Sequence, residues 1–175
     1  IPTDTFNIGI FGTDSLMFNS LKRMSKFKNI QGKPIKIKIF NRVSKIENIQ
    51  LLYVTYTRNS ALYRIFRKIQ GKNILLISDQ SRSSNTMINL YLTRDDMSKR
   101  LLKFEVFRHN LEKEGFSVSE EILIYGGSKK DIQNIIAETQ QELEEIQNKL
   151  HIKQQLLKSK EEEITKQIIK LEEQK

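Results

Sequence analysis

The chain has 175 residues, a net charge of +9 and no cysteine. The lack of cysteine excludes a disulfide framework, a thiolate metal site and a cysteine nucleophile. No apolar run approaches the ~20 residues that a membrane-spanning helix needs. Because the chain begins with Ile1 and Pro2 rather than Met, we expect a fragment of a longer protein, with any targeting segment outside it.

The first part of the chain alternates between apolar segments and amphipathic ones. Buried strands are predicted where the sequence is apolar throughout, at 6–11, 51–55 and 74–78. Ile35, Ile37 and Ile39 alternate with lysines, which predicts a half-exposed strand near a sheet edge. Helices are predicted at 15–26 and 59–69. Strands of this kind joined by helices indicate an α/β fold with a mostly parallel sheet that has helices on its faces.

The pattern changes after residue 80. Segments 87–92 and 101–107 predict two strands around a polar stretch at 93–100, most simply an antiparallel hairpin appended to the sheet. Short helices are predicted at 108–114 and 119–124. Gly126 and Gly127 then predict a hinge at which alanine would be tolerated, and Ser128 is placed to cap the next helix.

The last segment, residues 129–175, contains neither Pro nor Gly. Aliphatic residues recur in it every seven positions, with partial support from a second set; together they are Ile132, Ile136, Leu143, Ile146, Leu150, Leu157, Ile164 and Leu171. This spacing predicts a long coiled-coil helix, and we expect the chain to form a parallel homodimer through that seam. The sequence thus divides into a head, residues 1–125, and a rod, residues 129–175.

The basic surplus lies in the head, because basic and acidic residues nearly balance in the rod. The lysines and arginines of the head are scattered rather than clustered. This distribution favours an ordinary solubilising surface, and we expect no specific binding of nucleic acid.

Residues that could support catalysis are scarce. The two histidines, His109 and His151, have no carboxylate at metal-ligand spacing. The glycines of segment 8–13 follow a strand but lack the third glycine and the acidic residue of a dinucleotide loop. We therefore expect no enzymatic activity in this fragment, no metal and no cofactor.

A ligand-binding site, if there is one, is expected beyond the carboxyl ends of the parallel strands, where ligands bind in open sheets of this kind. The polar residues there are Gly12, Thr13, Asp14, Thr55, Tyr56, Arg58, Ser78 and Asp79. The alternative is that they only cap helices and fill loops, and the sequence favours neither interpretation.

Three blocks of the head follow one another in a distinctive order: Leu-Leu-Tyr-Val-Thr at 51–55, the glycine, strand and aspartate of 71–79, and the hairpin and helix between 87 and 119. In these blocks the head resembles the YfiR-like family of bacterial extracytoplasmic signalling domains. The family's amphipathic N-terminal helix would lie before residue 1. Asn85 and Thr86 stand where two glycines are usual, and the cysteines of some members are absent.

The resemblance implies a periplasmic regulator or sensor. Two roles fit: the sensory domain of a membrane-bound receptor, most simply a histidine kinase, or a regulator that binds a partner such as a membrane diguanylate cyclase. The rod favours the receptor, because a free regulator has no evident use for a coiled coil roughly 70 Å long. The expected partners are a second copy of the chain, an unidentified small-molecule or protein stimulus, and a membrane reached through a span outside this fragment.

Overall fold

The computed structural model describes residues 4–94 and 100–172. The middle of the polar stretch predicted between the hairpin strands, 95–99, lies outside the described residues. Contacts divide the chain into two compact units, Ile1–Asp131 and Ile132–Lys175. The first unit takes in the whole head and the first residues of the rod.

A seven-stranded, mostly parallel sheet forms the framework of the head. Its strands are β1 (Phe6–Phe11), β2 (Asn29–Ile30), β3 (Lys33–Phe40), β4 (Leu51–Val54), β5 (Leu75–Asp79), β6 (Ile88–Arg94) and β7 (Arg100–Val106). They lie in the order β2-β3-β1-β4-β5-β6-β7. The five central strands run parallel, whereas β2 and β7 pair antiparallel with their neighbours. The α/β fold and the appended hairpin are therefore confirmed. The short β2, which the sequence did not predict, makes β3 the second strand from the edge.

The described residues contain five α-helices: α1 (Ser15–Met24), α2 (Leu62–Ile69), α3 (Arg108–Lys113), α4 (Glu120–Gly126) and α5 (Lys129–Glu172). The predicted helix 59–69 starts earlier than expected, as the 3-10 segment Tyr56–Ala61, and becomes an α-helix only at Leu62. The Arg58 N–H donates to the Thr55 carbonyl at 2.9 Å. Such an i to i+3 bond satisfies a backbone group while winding the first turns more tightly.

The core of the head lies between α2 and one face of the sheet. Leu62, Ile65 and Ile69 of α2 are almost completely buried, as are Leu52 and Leu76 in the central strands. Side chains of this spacing fall on a single stripe of the helix. Helix α1, by contrast, has no buried residue.

A buried carboxylate ties α3 to the end of α2. Gly71 adopts a positive φ of 72° directly after the C-cap of α2, a conformation in which glycine commonly ends helices. Both carboxylate oxygens of Glu114 accept the Gly71 N–H at 2.8 Å, and one also accepts the Lys72 N–H at 3.2 Å. Glu114 thus satisfies backbone donors at the turn that follows α2.

The expectation that the glycines before the rod tolerate alanine is wrong. Gly126 is buried as the last residue of α4, and a Cβ there would collide with the ring of Phe104. A Cβ on Gly127 would stand 2.5 Å from the Leu123 carbonyl oxygen. Both positions need glycine because neighbouring atoms approach closely, rather than because the backbone has to bend there.

The capping role of Ser128 is confirmed. Its hydroxyl donates to the Asp131 carboxylate at 2.6 Å and accepts the Asp131 N–H at 3.2 Å, while the Ser128 N–H donates to the same carboxylate at 2.8 Å. This reciprocal arrangement is a capping box, with Asp in place of the more usual Glu. It determines where α5 begins.

Helix α5 spans 44 residues. In the single chain the predicted seam is open to solvent: Leu143, Leu150 and Leu157 are between 54% and 60% exposed. Ile136, Ile146 and Ile164 are similarly exposed, Ile132 is half-buried, and Leu171 lies in the helix. The long helix and its unpartnered apolar stripe are thus present, as the sequence predicts.

Candidate functional site

The predicted site lies where β1, β4 and β5 end. The register pairs Phe11 with Val54 and Val54 with Ser78, so the three strands finish level with one another. The residues that follow them therefore emerge along one edge of the sheet. This common edge brings together the loop after β1, the start of the 3-10 segment and the end of β5.

Gly12, Thr55 and Arg58 form a close contact at this edge. Gly12 has a φ of 108°, and a Cβ on it would meet the Thr55 hydroxyl and stand 2.7 Å from Cγ of Arg58. The Thr55 hydroxyl donates to the Phe11 carbonyl at 3.2 Å. Because Gly12 has no side chain, the stem of Arg58 lies directly over the backbone that leaves β1.

The carboxylates of Asp14 and Asp79 lie near a phenol that the sequence did not single out. Asp14 caps α1, accepting the Met17 N–H at 2.9 Å. Tyr53 is buried in β4, and burial raises the pKa of its phenol well above the usual range; the charges of Asp79 and Asp14 and a hydrogen bond with Asp79 raise it further. The phenol therefore stays neutral and can donate. A tyrosine within an otherwise aliphatic strand was the available signal.

Ser78 is a structural residue rather than an exposed ligand group. It is completely buried, and its hydroxyl donates to the Asn89 side-chain oxygen at 3.0 Å. The Asn89 amide also holds the next loop, since its oxygen accepts the Ser81 N–H and its nitrogen donates to the Ser81 carbonyl, both at 2.9 Å. Thr13 and Tyr56, by contrast, are exposed at the edge.

Asn59 carries a polar atom whose bonding is incomplete. Its side-chain nitrogen donates to the Asp79 carbonyl at 2.8 Å. Its side-chain oxygen is buried and finds no hydrogen-bond partner among the described residues. A buried hydrogen-bond acceptor without a donor costs free energy. A donor from outside the described residues would therefore stabilise the Asn59 side chain at this strand edge.

The predicted residues separate into two groups on opposite faces of the sheet. Arg58 lines a cavity of about 420 Å³ that also borders Phe11, Arg42 and Arg64. Phe11 is level with Val54, and Tyr53 points to the other face because side chains alternate along a strand. The basic cavity and the acidic group around Tyr53 are therefore distinct surfaces. Arg42 was missed because the end of β3, two residues before it, was not counted with the ends of β1, β4 and β5, and Arg64 was missed because it lies on α2.

Metal chemistry finds no support in the described part of the chain. No group of three or more His, Cys, Asp or Glu residues there could hold a metal ion. Among residues 4–94 and 100–172, no helix has the length and apolarity to cross a membrane.

Comparison with known proteins gives a family for the head. No curated protein sequence shows significant similarity to the chain. The family model described as YfiR/HmsC-like matches residues 2–125, which covers all seven strands and ends within α4. The chain therefore belongs to the YfiR/HmsC-like family, and its head is a periplasmic regulatory domain.

Proposed function

We propose that the chain is the extracytoplasmic sensory portion of a membrane-bound receptor, most simply a histidine kinase, and that two rods pair to carry its signal. The observation that supports this proposal best is the half-exposed aliphatic stripe of α5. A single helix leaves that stripe in water, and a second copy would bury it.

The junction between head and rod suits transmission. Only Gly127 and Ser128 separate α4 from α5, and the Ser128–Asp131 capping box fixes the residue at which the rod begins. A linker of two residues allows little independent movement of α4 and α5. A displacement of α4 upon ligand binding would therefore reach the first turns of α5 rather than be absorbed by a loop.

The rod itself combines a strong and a weak half. At about 1.5 Å per residue, its 44 helical residues extend roughly 66 Å. Ile136, Leu143, Ile146 and Leu150 supply both seam positions in its first half, whereas Lys153 and Lys160 occupy the second seam position farther on. Charged seam positions lower the stability of a coiled coil. A marginal second half suits a switch whose two packings differ by only a few kcal/mol.

The second candidate is a periplasmic regulator without a receptor of its own, which binds a partner such as a membrane diguanylate cyclase. The extent of the family match favours it, because the match ends at residue 125 and does not include the rod. In this candidate the rod is a dimeric spacer. Neither role requires catalysis by the head, and we propose none.

Pairing can be tested by cross-linking, since the chain has no cysteine of its own. Ile146→Cys places one thiol at the seam, and Gln141→Cys places one on the opposite side of the same helix as a control. In a parallel, in-register pair the thiol at 146 meets its own copy and forms a disulfide on mild oxidation, whereas the thiol at 141 does not. Equal cross-linking of both variants, or of neither, contradicts the parallel seam.

The receptor and the free regulator differ in what the gene encodes after Lys175. An apolar segment of ~20 residues there supports the receptor, because such a segment spans a membrane. A stop codon immediately after Lys175 contradicts it and favours the regulator. If the span is present, phosphorylation assays on the full-length protein show whether its output is a histidine kinase.

A further inference from the structure

The cavity beside Arg58 is formed by three separate parts of the head. Arg42 and Ser44 lie in the segment after β3. Arg58 lies in the 3-10 segment after β4, and Arg64 lies on α2. The cavity measures about 420 Å³. The three arginines converge through tertiary folding, since they belong to no basic run in the sequence.

Among the described residues, no carboxylate forms an ion pair with any of these three arginines. The residues that line the cavity include no Asp or Glu. Across the described residues, ion pairs join Arg108 to Glu112 and Lys149 to Glu145, and the three cavity arginines take part in neither. Like charges gathered without a counterion repel one another, and that repulsion is relieved when an anion enters.

The other groups around the cavity fit the same ligand chemistry. Ser44 and Ser60 contribute hydroxyl groups and Asn41 contributes an amide, all able to donate, whereas the Thr57 hydroxyl already donates to the Thr55 hydroxyl at 3.2 Å. Guanidinium groups bind carboxylate or phosphate oxygens through two parallel hydrogen bonds, which adds geometric selection to charge attraction. A cation or an apolar molecule would gain nothing comparable here.

We infer that this cavity binds a small polyvalent oxyanion, a phosphate monoester or a polycarboxylate. The inference rests on the proposed sensory role in one respect: if the head is a sensor, the oxyanion is its stimulus. Arg58 connects the cavity to the sheet edge, because its Cγ lies over Gly12. An anion drawn to Arg58 would thereby act on the loop that leads to α1.

Isothermal titration of the whole 175-residue protein tests the inference. The probes are inorganic phosphate and citrate, with uncharged glycerol as the control ligand. Arg42→Gln and Arg64→Gln each remove one cavity charge. Arg67→Gln is the matched control, because Arg67 lies on the same helix, stacks 6.0 Å over the Tyr63 ring and does not line the cavity.

Phosphate, citrate or both should bind at about 150 mM salt, and the tighter probe identifies the class of oxyanion. Each cavity variant should weaken binding ~10-fold or more, as expected for losing a hydrogen bond to a charged group. Arg67→Gln should change affinity less than about twofold, as expected for a screened surface charge. Circular dichroism should show that all three variants remain folded.

Two results would overturn the inference. One is the absence of binding of both anions at millimolar concentration by the folded wild-type protein. The other is an equal loss of affinity in Arg67→Gln and the cavity variants, which would indicate diffuse attraction to a basic head. Neither result bears on pairing of the rod, because the Ile146→Cys cross-link is measured without ligand.

Discussion

The ring of Phe104 occupies the space in which a Cβ of Gly126 would stand, so this ring of β7 packs directly against the backbone of α4. Gly126 is the last residue of α4. This contact holds α4, the last helix of the head, against β7 through an aromatic ring packed on the helix backbone.

Replacement of Gly126 by alanine should therefore destabilise the head. We expect a loss of about 1–3 kcal/mol in the free energy of unfolding, the usual cost of overpacking a closed site. Urea denaturation measures it. Phe104→Leu should make the same alanine less harmful, because a smaller side chain leaves room. An equal cost of the alanine in both backgrounds would mean that Phe104 is not the obstacle.

The capping box at the start of the rod predicts a pH dependence. The Ser128 hydroxyl bond is the main cause that holds the pKa of Asp131 below its ordinary value of 3.8, and the Ser128 N–H and the charges of Arg108 and Lys130 add to it. Because the pKa is lower in the folded chain, this contribution to stability is complete above pH 3.8 and is lost as pH falls through the folded value.

Ser128→Ala should raise the pKa of Asp131 toward its ordinary value and reduce stability by about 1 kcal/mol, as loss of an N-cap usually does. NMR titration of the Asp131 carboxyl and urea denaturation near neutral pH measure the two effects. Ser128→Thr keeps the hydroxyl and serves as the control. An unchanged Asp131 pKa in Ser128→Ala would show that the hydroxyl does not set it.

Two glycines with positive φ allow the energetic cost of backbone strain to be measured separately from the cost of a steric clash. Gly71→Ala meets no atom within 4 Å, so its cost should be the backbone term alone, about 1–2 kcal/mol. In Gly12→Ala the added Cβ also meets Thr55 and Arg58, so the free energy of unfolding should fall by about 1–3 kcal/mol more. Unfolding in urea compares them directly. Equal costs would contradict the close approach of Arg58 to Gly12.

The seam of the rod predicts a specific effect on mass. Leu143→Asp combined with Leu150→Asp places carboxylates in the seam and should convert the dimer into monomer. The control combines Gln141→Asp with Ile152→Asp, which adds the same charge to the same helix away from the seam, and it should remain dimeric. Sedimentation measures the mass of each. If seam and control variants have the same mass, either another surface holds the chains together or the chains do not pair.

Much of the framework follows from sequence alone, because local spacing determines it. The largely apolar run at Phe6–Phe11 predicts β1 to the residue, since a strand buried on both faces needs few polar positions. The heptad spacing after Lys129 predicts a long helix, and Ser128 directly before it predicts its cap. In each case the deciding interactions lie within a few residues of one another.

The candidate site was predicted only in outline. The sequence indicates the edge at which Gly12, Thr55 and Asp79 meet, because parallel strands end together. It does not separate the acidic group around Tyr53 from the basic cavity, since which residues share a face depends on the register between strands. Arg42, which follows β3, and Arg64, which lies on α2, line one cavity with Arg58 only in the folded head.

The glycines before the rod show most directly what sequence alone determines and what depends on tertiary structure. From sequence, Gly126 and Gly127 predict conformational freedom, because glycine allows backbone angles that other residues avoid. In the folded head the Phe104 ring and the Leu123 carbonyl oxygen fill the positions that side chains would take. Local sequence determines which backbone conformations are available, whereas packing between distant residues decides whether a glycine is needed for its flexibility or for its small size.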